Sequence, residues 1–224
     1  MRDRAGWRDV GEPWSAAPQQ TVIQLVDEAC RTWPDAPAMI FEDGLVVAYA
    51  QLLAASERFA GYLAERVQPG DAVAVILRNR AEFMIVWLAV VANRAVLVSV
   101  NPDDKILDAG HILRDSASVI VILTDEHEAL ITQLRPELPR LREVVTVRDG
   151  EPGGLAGYSG RRPLRFAEAG CARADISNIY YTSGTTGLPK ACTVDHEWWL
   201  RTVARHLAMP PDLHRQVVER WGFP

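Results

Sequence analysis

The chain has 224 residues, with 24 Lys+Arg against 29 Asp+Glu, a formal net charge of −5; 48% of its residues are hydrophobic and 24% charged. Those proportions are ordinary for a soluble globular protein and exclude a disordered chain, a collagen-like chain and a small disulfide scaffold. The length suits one large domain or two small ones, and the acidic balance argues against broad attraction to nucleic acid or anionic lipid but not against a local anion site.

In chain order, Thr21-Val22-Ile23-Gln24 reads as a capping box. It opens a helix with the apolar stripe Val22, Leu25, Val26 and Ala29, stopped before Trp33-Pro34. Residues 38–49 read as two short strands around Asp43-Gly44, a strong hairpin turn signal. A helix follows over about 50–66, with Leu52, Ser56, Phe59, Ala60 and Leu63 on one face and Pro69-Gly70 as its stop. The chain then alternates: strand 72–77, helix 81–92, strand 95–100, helix 106–113, strand 119–123, helix 126–134 and strand 143–147. The run 72–77 is continuously apolar, as expected of a strand covered on both faces. This alternation predicts βαβ crossovers, and so an α/β fold with a mostly parallel sheet and helices on both faces.

Residues 149–163 hold Gly150, Gly153, Gly154, Gly157 and Gly160, a third of the chain's 15 glycines, and read as a flexible loop or linker. The expected division is an α/β unit over 1–150, a Gly-rich linker over 151–175 and a last unit over 176–224. That last unit opens with a strand over 176–182. Asp195 stands as the N-cap of a helix running toward Ala208, with Pro210-Pro211 as its stop. A final amphipathic stretch carries Leu213, Val217, Val218 and Trp221.

Cys30, Cys171 and Cys192 are odd in number and form no C-x-x-C pair, so neither a disulfide framework nor a zinc site is expected. A reducing, cytoplasmic setting fits best. Residues 1–13 contain no apolar run of the secretory-signal kind. The longest uncharged apolar run, residues 83–92, falls well short of the about 20 that a membrane-spanning helix needs.

The chemistry concentrates in Tyr180-Tyr181-Thr182-Ser183-Gly184-Thr185-Thr186-Gly187-Leu188-Pro189-Lys190. Glycines let backbone N–H groups approach a ligand closely, and successive turn amides form a concave anion site. Hydroxyls add donors, and Lys190 adds a full positive charge. A solvent-exposed hairpin uses the same residue types, but four hydroxyls followed by a lone lysine exceed what a turn requires. The composition describes a polyphosphate cradle. It is neither a Walker loop, since no Gly-Lys-Ser/Thr occurs, nor a dinucleotide G-x-G-x-x-G.

The unbroken stretch Tyr181 to Lys190, YTSGTTGLPK, resembles the phosphate-binding signature of the adenylate-forming enzymes: acyl-CoA synthetases, luciferases and peptide-synthetase adenylation domains. Upstream, residues 47–52 are similar to the family's T-Y-x-E-L segment, and residues 70–77 to its G-D-x-V-A strand. Asn79, Glu82-Phe83, Ala95-Val96 and Val100-Asn101-Pro102 look like the segment that follows. The resemblance implies the family's N-terminal subdomain, incomplete, and the activation of a carboxylic acid with ATP and Mg²⁺ followed by transfer to coenzyme A. It further implies that Thr182, Ser183, Gly184, Thr185, Thr186, Gly187 and Lys190 embrace the β- and γ-phosphates. No catalytic residue and no metal ligand is assigned.

Two positions depart from the family pattern: Ala191 and Arg94 each stand where glycine is common. Alanine is tolerable at 191 if φ is negative there and harmful in a left-handed turn. Arg94 is expected as a surface replacement at a helix C-terminus, where a cation suits the dipole. After His196 no counterpart of the family's Y-G-x-T-E, T-G-D and G-R-x-D-x-x-K segments occurs, so the chain alone is expected to be inactive as a ligase. The alternative is a noncatalytic nucleotide- or pyrophosphate-binding remnant, or half of a split enzyme.

Other residues read more plainly. His196 is expected to cap a helix in contact with solvent, and Trp198-Trp199 to pack in a core. Arg161, Arg162 and Arg165 read as a solvated face, and Asp103-Asp104 as helix N-terminal charge. Because Trp198, Trp199 and Trp221 would face later segments of a longer enzyme, self-association or a complementary chain is expected.

Overall fold

The computed structural model describes residues 20–148, 154–182 and 188–207, with only the backbone described at residues 206 and 207. Its helices are α1 (Val22–Thr32), α2 (Tyr49–Ala64), α3 (Ala81–Ala92), α4 (Ile106–Asp115), α5 (Glu128–Leu134) and α6 (His196–Leu207). Its strands are β1 (Pro37–Ile40), β2 (Val46–Ala48), β3 (Ala72–Ile76), β4 (Val96–Ser99), β5 (Ile120–Thr124), β6 (Glu143–Val147), β7 (Ile176–Thr182) and β8 (Lys190–Asp195). The stretch carrying Leu213, Val217, Val218 and Trp221 lies outside the described residues.

Local chemistry sets the element ends. The Thr21 side chain accepts from the Gln24 amide and the Gln24 side chain accepts from the Thr21 amide, which closes the capping box at the start of α1. Gly44 turns between β1 and β2 at φ +87, and Gly70 between α2 and β3 at φ +85; both values fall where a Cβ is disfavoured.

Six strands form one sheet in the order β6-β5-β3-β4-β7-β8. All neighbours run parallel except β7 and β8, which are antiparallel. The edge strand β8 is an addition to the elements expected from sequence. A separate antiparallel pair joins β1 to β2.

Two apolar layers cover the sheet. On one face α1, α2 and α3 pack through Ile23, Phe59, Leu63, Val86 and Leu88 onto Val73, Val75, Leu97 and Ile122. On the other, α4 and α5 bring Ala109, Ile112, Leu113, Ile131 and Leu134 onto Ala74, Ile76, Val98, Val121 and Leu123. Both faces of β3 and β5 are therefore buried, which accounts for their unbroken apolar runs. The α3 crossover joins β3 to its neighbour β4 on one face. The α4 crossover carries the chain back past β3 to β5 on the other. This is the doubly wound arrangement, whose ligand crevice lies beyond the carboxyl ends of the strands.

Residues 154–166 lie against α2 and β6. Gly160 and Gly61 meet backbone to backbone: a Cβ on Gly160 would stand 2.1 Å from the Gly61 carbonyl oxygen. Tyr158 closes part of the β6 edge, its hydroxyl accepting from the Thr146 amide and donating to the Thr146 carbonyl, both at 3.1 Å. Arg165 lies 2.5 Å from the buried carboxylate of Glu57. No helix among the described residues is long and apolar enough to cross a membrane.

Candidate functional site

β7 leaves the sheet at its carboxyl edge. Its pairing with β4 ends at Ile179, while its pairing with β8 continues through Tyr180↔Cys192 and Tyr181↔Ala191 to Thr182↔Lys190. The end of this hairpin therefore extends beyond the last β4 partner, on the side where an α/β sheet binds its ligands. Thr182 and Lys190 face each other across its mouth, both exposed. Ser183, Gly184, Thr185, Thr186 and Gly187 lie outside the described residues.

Lys190 makes no ion pair with any described residue. Arg78 and Asp103, from the connections after β3 and β4, pair with each other at 2.7 Å. Ala191 is absent from the described non-glycine residues with positive φ. As part of β8 it takes its methyl group without left-handed strain.

Helix α4 braces the hairpin on one face. The Tyr181 hydroxyl donates to Asp115 Oδ2 at 2.6 Å, and His111 Nε2–H donates to the Pro189 carbonyl at 2.9 Å. The rings of His111 and Tyr181 meet edge to face, centroids 6.3 Å apart. Burial and the Asp115 hydrogen bond and carboxylate push the Tyr181 phenol well above its ordinary value.

The opposite face is held by tryptophans. Asn178 Oδ1 accepts from Trp87 Nε1 at 2.9 Å and from Trp199 Nε1 at 3.3 Å. Trp199 Nε1 also lies 3.0 Å from Ser177 Oγ, whose hydroxyl donates to the Val194 carbonyl at 3.0 Å. The expectation of core packing holds for Trp199, which is half-buried, whereas Trp198 is 48% exposed. Asp195 caps α6 as expected, its Oδ1 accepting from the Trp198 amide at 2.8 Å.

His196 departs from the sequence reading. It is 1% exposed, and its Nδ1 accepts from the Val22 amide at 3.2 Å. Arg94 follows α3 at φ +56 and pairs through Nε with Asp175 Oδ2 at 2.9 Å, just before β7. Burial opposes the charge on Asp175, but the Arg94 and Ala172 hydrogen bonds outweigh it and hold the carboxyl below its ordinary value.

No group of three or more metal-ligating side chains occurs among the described residues. A cavity of about 410 Å³ lies between α5 and β6, lined by Glu128, Ile131, Thr132, Arg135, Val144 and Thr146. It sits at the far edge of the sheet from the hairpin.

Reading residues for their chemistry names Thr182 and Lys190 as candidates and gives no place to His111 and Asp115, which the structure brings against the hairpin. The available signal was their four-residue spacing, which puts both on one helix face. Their contacts with Pro189 and Tyr181 arise only from the topology, across 78 and 66 positions of chain.

Comparison with known proteins bears on the family and the fold. A 3-oxocholest-4-en-26-oate–CoA ligase of Rhodococcus rhodochrous is 32% identical over 184 residues, covering 79% of this chain and 33% of that protein. The chain thus spans about a third of the length of that curated relative. The fold matches an anthranilate CoA ligase solved with anthranoyl-AMP at a TM-score of 0.70 and 24% identity, covering 81% of this chain and 36% of that one. It matches a Mycobacterium tuberculosis fatty acyl CoA synthetase at 0.68 and 23%, covering 79% and 35%. The family model described as AMP-binding enzyme matches residues 26–219, and the chain belongs to that family.

Proposed function

We propose that this chain is the N-terminal part of an ATP-dependent carboxylate–CoA ligase, and that the β7–β8 connection holds the β- and γ-phosphates of ATP. The observation that carries this reading is the pairing of Thr182 with Lys190 at the mouth of a hairpin on the carboxyl edge. A hydroxyl and an exposed ammonium, unpaired among the described residues, flank a connection of glycines and hydroxyls. That donor set fits a polyphosphate: it offers hydrogen bonds and positive charge but no carboxylate to repel the ligand.

In this reading Thr182, Ser183, Gly184, Thr185, Thr186, Gly187 and Lys190 bind and orient the triphosphate. Displacement at the α-phosphate by a carboxylate builds charge on the departing pyrophosphate, and fixed donors aimed there lower the barrier. Mg²⁺ would come with the nucleotide phosphates, and coenzyme A would take the acyl group in the complete cycle. The steroid-acid relative supports a carboxylic acid with a large apolar body as substrate. Three free thiols support a reducing, cytoplasmic setting.

The chain alone is proposed to bind phosphates without completing ligase turnover, because it spans only about a third of a relative's length. A second copy, or a chain carrying the remaining segments, is proposed as the partner that covers the exposed Trp198 ring. ATP or inorganic pyrophosphate is expected to raise the melting temperature of the 224-residue chain and to leave Lys190→Ala unshifted. Equal shifts in both proteins would overturn the phosphate assignment. Acyl-CoA formation by the purified chain would overturn its proposed incompleteness.

A further inference from the structure

Each described end of the hairpin connection has its preceding residue bonded to α4. Tyr181 precedes Thr182 and donates its hydroxyl to Asp115; Pro189 precedes Lys190 and accepts from His111. Two bonds from one helix face thus hold both strands: His111 fixes the peptide plane that leads from Pro189 into Lys190, and Asp115 anchors the Tyr181 side chain beside Thr182.

The packing of α4 does not need either group. Its buried positions are Ala109, Gly110, Ile112 and Leu113, whereas His111 is half-buried and Asp115 exposed. Both side chains instead satisfy groups of the hairpin. The Tyr181 phenol carries its proton across the neutral range, as tyrosines do, and so can donate to Asp115 there. Pro189 has no N–H, so its carbonyl is the one backbone polar group through which that residue can be held.

We infer that His111 and Asp115 are positioning residues for polyphosphate binding, acting through Pro189 and Tyr181 to preset the stance of Lys190 and Thr182. The inference rests on the phosphate reading above. Its physical content is preorganisation: donors held in place before the anion arrives lose less freedom when it binds.

Calorimetric titration of the full 224-residue chain with inorganic pyrophosphate tests this. His111→Phe keeps an aromatic ring beside Tyr181 but removes the donor, and is expected to weaken binding about three- to tenfold. His111→Gln restores a donor to the Pro189 carbonyl and is expected to recover most of the affinity. Tyr181→Phe and Asp115→Ala cut one bond from its two sides, so the double variant is expected to bind no more weakly than either single one. Amide exchange at Lys190 and Ala191 is expected to quicken in His111→Phe while the urea midpoint stays near that of the native chain.

Should Lys190→Ala lose pyrophosphate while His111→Phe binds like the native chain, the positioning role falls and the phosphate reading stands. Equal weakening by His111→Phe and His111→Gln would also overturn it, since shape rather than the donor would then be at work. If the native chain binds no pyrophosphate, or Lys190→Ala binds it equally well, both readings fall together. Where His111→Phe does not fold, additive losses in the Tyr181/Asp115 cycle overturn the inference and non-additive losses support it.

Discussion

The Val22 amide donates to Nδ1 of His196 at 3.2 Å, joining the first turn of α1 to the first turn of α6 across 174 positions of chain. The bond requires a ring unprotonated at Nδ1. Burial lowers the His196 pKa, and the carboxylates of Asp175 and Asp195 only partly offset it. Above the ordinary histidine value of about 6.5 the ring is neutral in folded and unfolded chains alike, and the bond contributes fully. As pH falls below that value the unfolded chain takes up a proton that the folded chain resists, so folding stability declines toward the folded pKa. His196→Asn places Oδ1 where Nδ1 stood and does not titrate. Its urea midpoint is expected to fall less than the native one between about pH 7 and pH 5.5. Equal slopes would remove His196 from the explanation. His196→Ala, which leaves the Val22 amide buried without this acceptor, is expected to cost about 1–3 kcal/mol at neutral pH.

Arg94 occupies left-handed backbone at φ +56, a conformation costing a residue with a Cβ about 1–2 kcal/mol. Its guanidinium recovers part of that through two contacts with Asp175, at 2.9 and 3.3 Å. An ion pair this open to solvent contributes little. Arg94→Gly exchanges one effect for the other and is expected to lie within about 1 kcal/mol of the native chain in urea denaturation. Arg94→Val loses the pair and keeps the strain in a β-branched residue. A loss of about 1–3 kcal/mol is expected there, and a native-like midpoint would show that the backbone relaxes.

Gly160 and Gly157 separate two meanings of glycine within one short stretch. A Cβ at position 160 would stand 2.1 Å from the Gly61 carbonyl oxygen and 2.8 Å from the Tyr62 amide nitrogen. Both are backbone atoms of α2 that cannot swing aside. Gly160→Ala is therefore expected to cost about 1–3 kcal/mol by overpacking. At Gly157 an added Cβ meets nothing within 4 Å, and φ lies outside the left-handed range. Gly157→Ala is expected to be neutral or to stabilise by about 0.4–1 kcal/mol through the unfolded chain. Chemical denaturation of the two variants side by side separates these outcomes.

The elements legible in the sequence are those whose burial is written into a continuous stretch. Residues 81–92 and 176–182 are expected with the bounds that α3 and β7 show; in α3 the apolar content runs unbroken from Phe83 to Ala92. β8 escaped notice because four of its six residues are exposed: an edge strand held by β7 alone carries no apolar alternation. His196 was misread for a related reason. Nothing near it in sequence indicates that α1 will cover it. The glycines of residues 149–163 suggested flexibility, yet Gly160 serves close approach to Gly61, which becomes visible only once α2 is in place. The donors proposed to hold phosphate are legible as composition, whereas the contacts of His111 and Asp115 with the hairpin depend on how the crossover through α4 returns past β3.

Asn178 is the position where tertiary structure concentrates most on one side chain. It is 1% exposed, lies in β7 opposite Leu97 of β4 and Val194 of β8, and accepts from two indoles with one oxygen. Asn178→Ala would remove the acceptor of Trp87 and leave Trp199 its contact with Ser177. A loss of about 1–3 kcal/mol is expected for a half-buried donor left unpaired, with a further contribution from the space vacated. Asn178→Asp keeps an oxygen facing both indoles but buries a carboxyl group. It is expected to retain the tryptophan emission of the native fold near neutral pH at some expense in stability. The rings of Trp87 and Trp199 meet edge to face 5.3 Å apart, so loosening either changes the surroundings of both. A red-shifted emission maximum in Asn178→Ala, absent from Asn178→Asp, would mark Asn178 as the anchor of this pair. Identical spectra in both variants and the native chain would assign that role to aromatic packing alone.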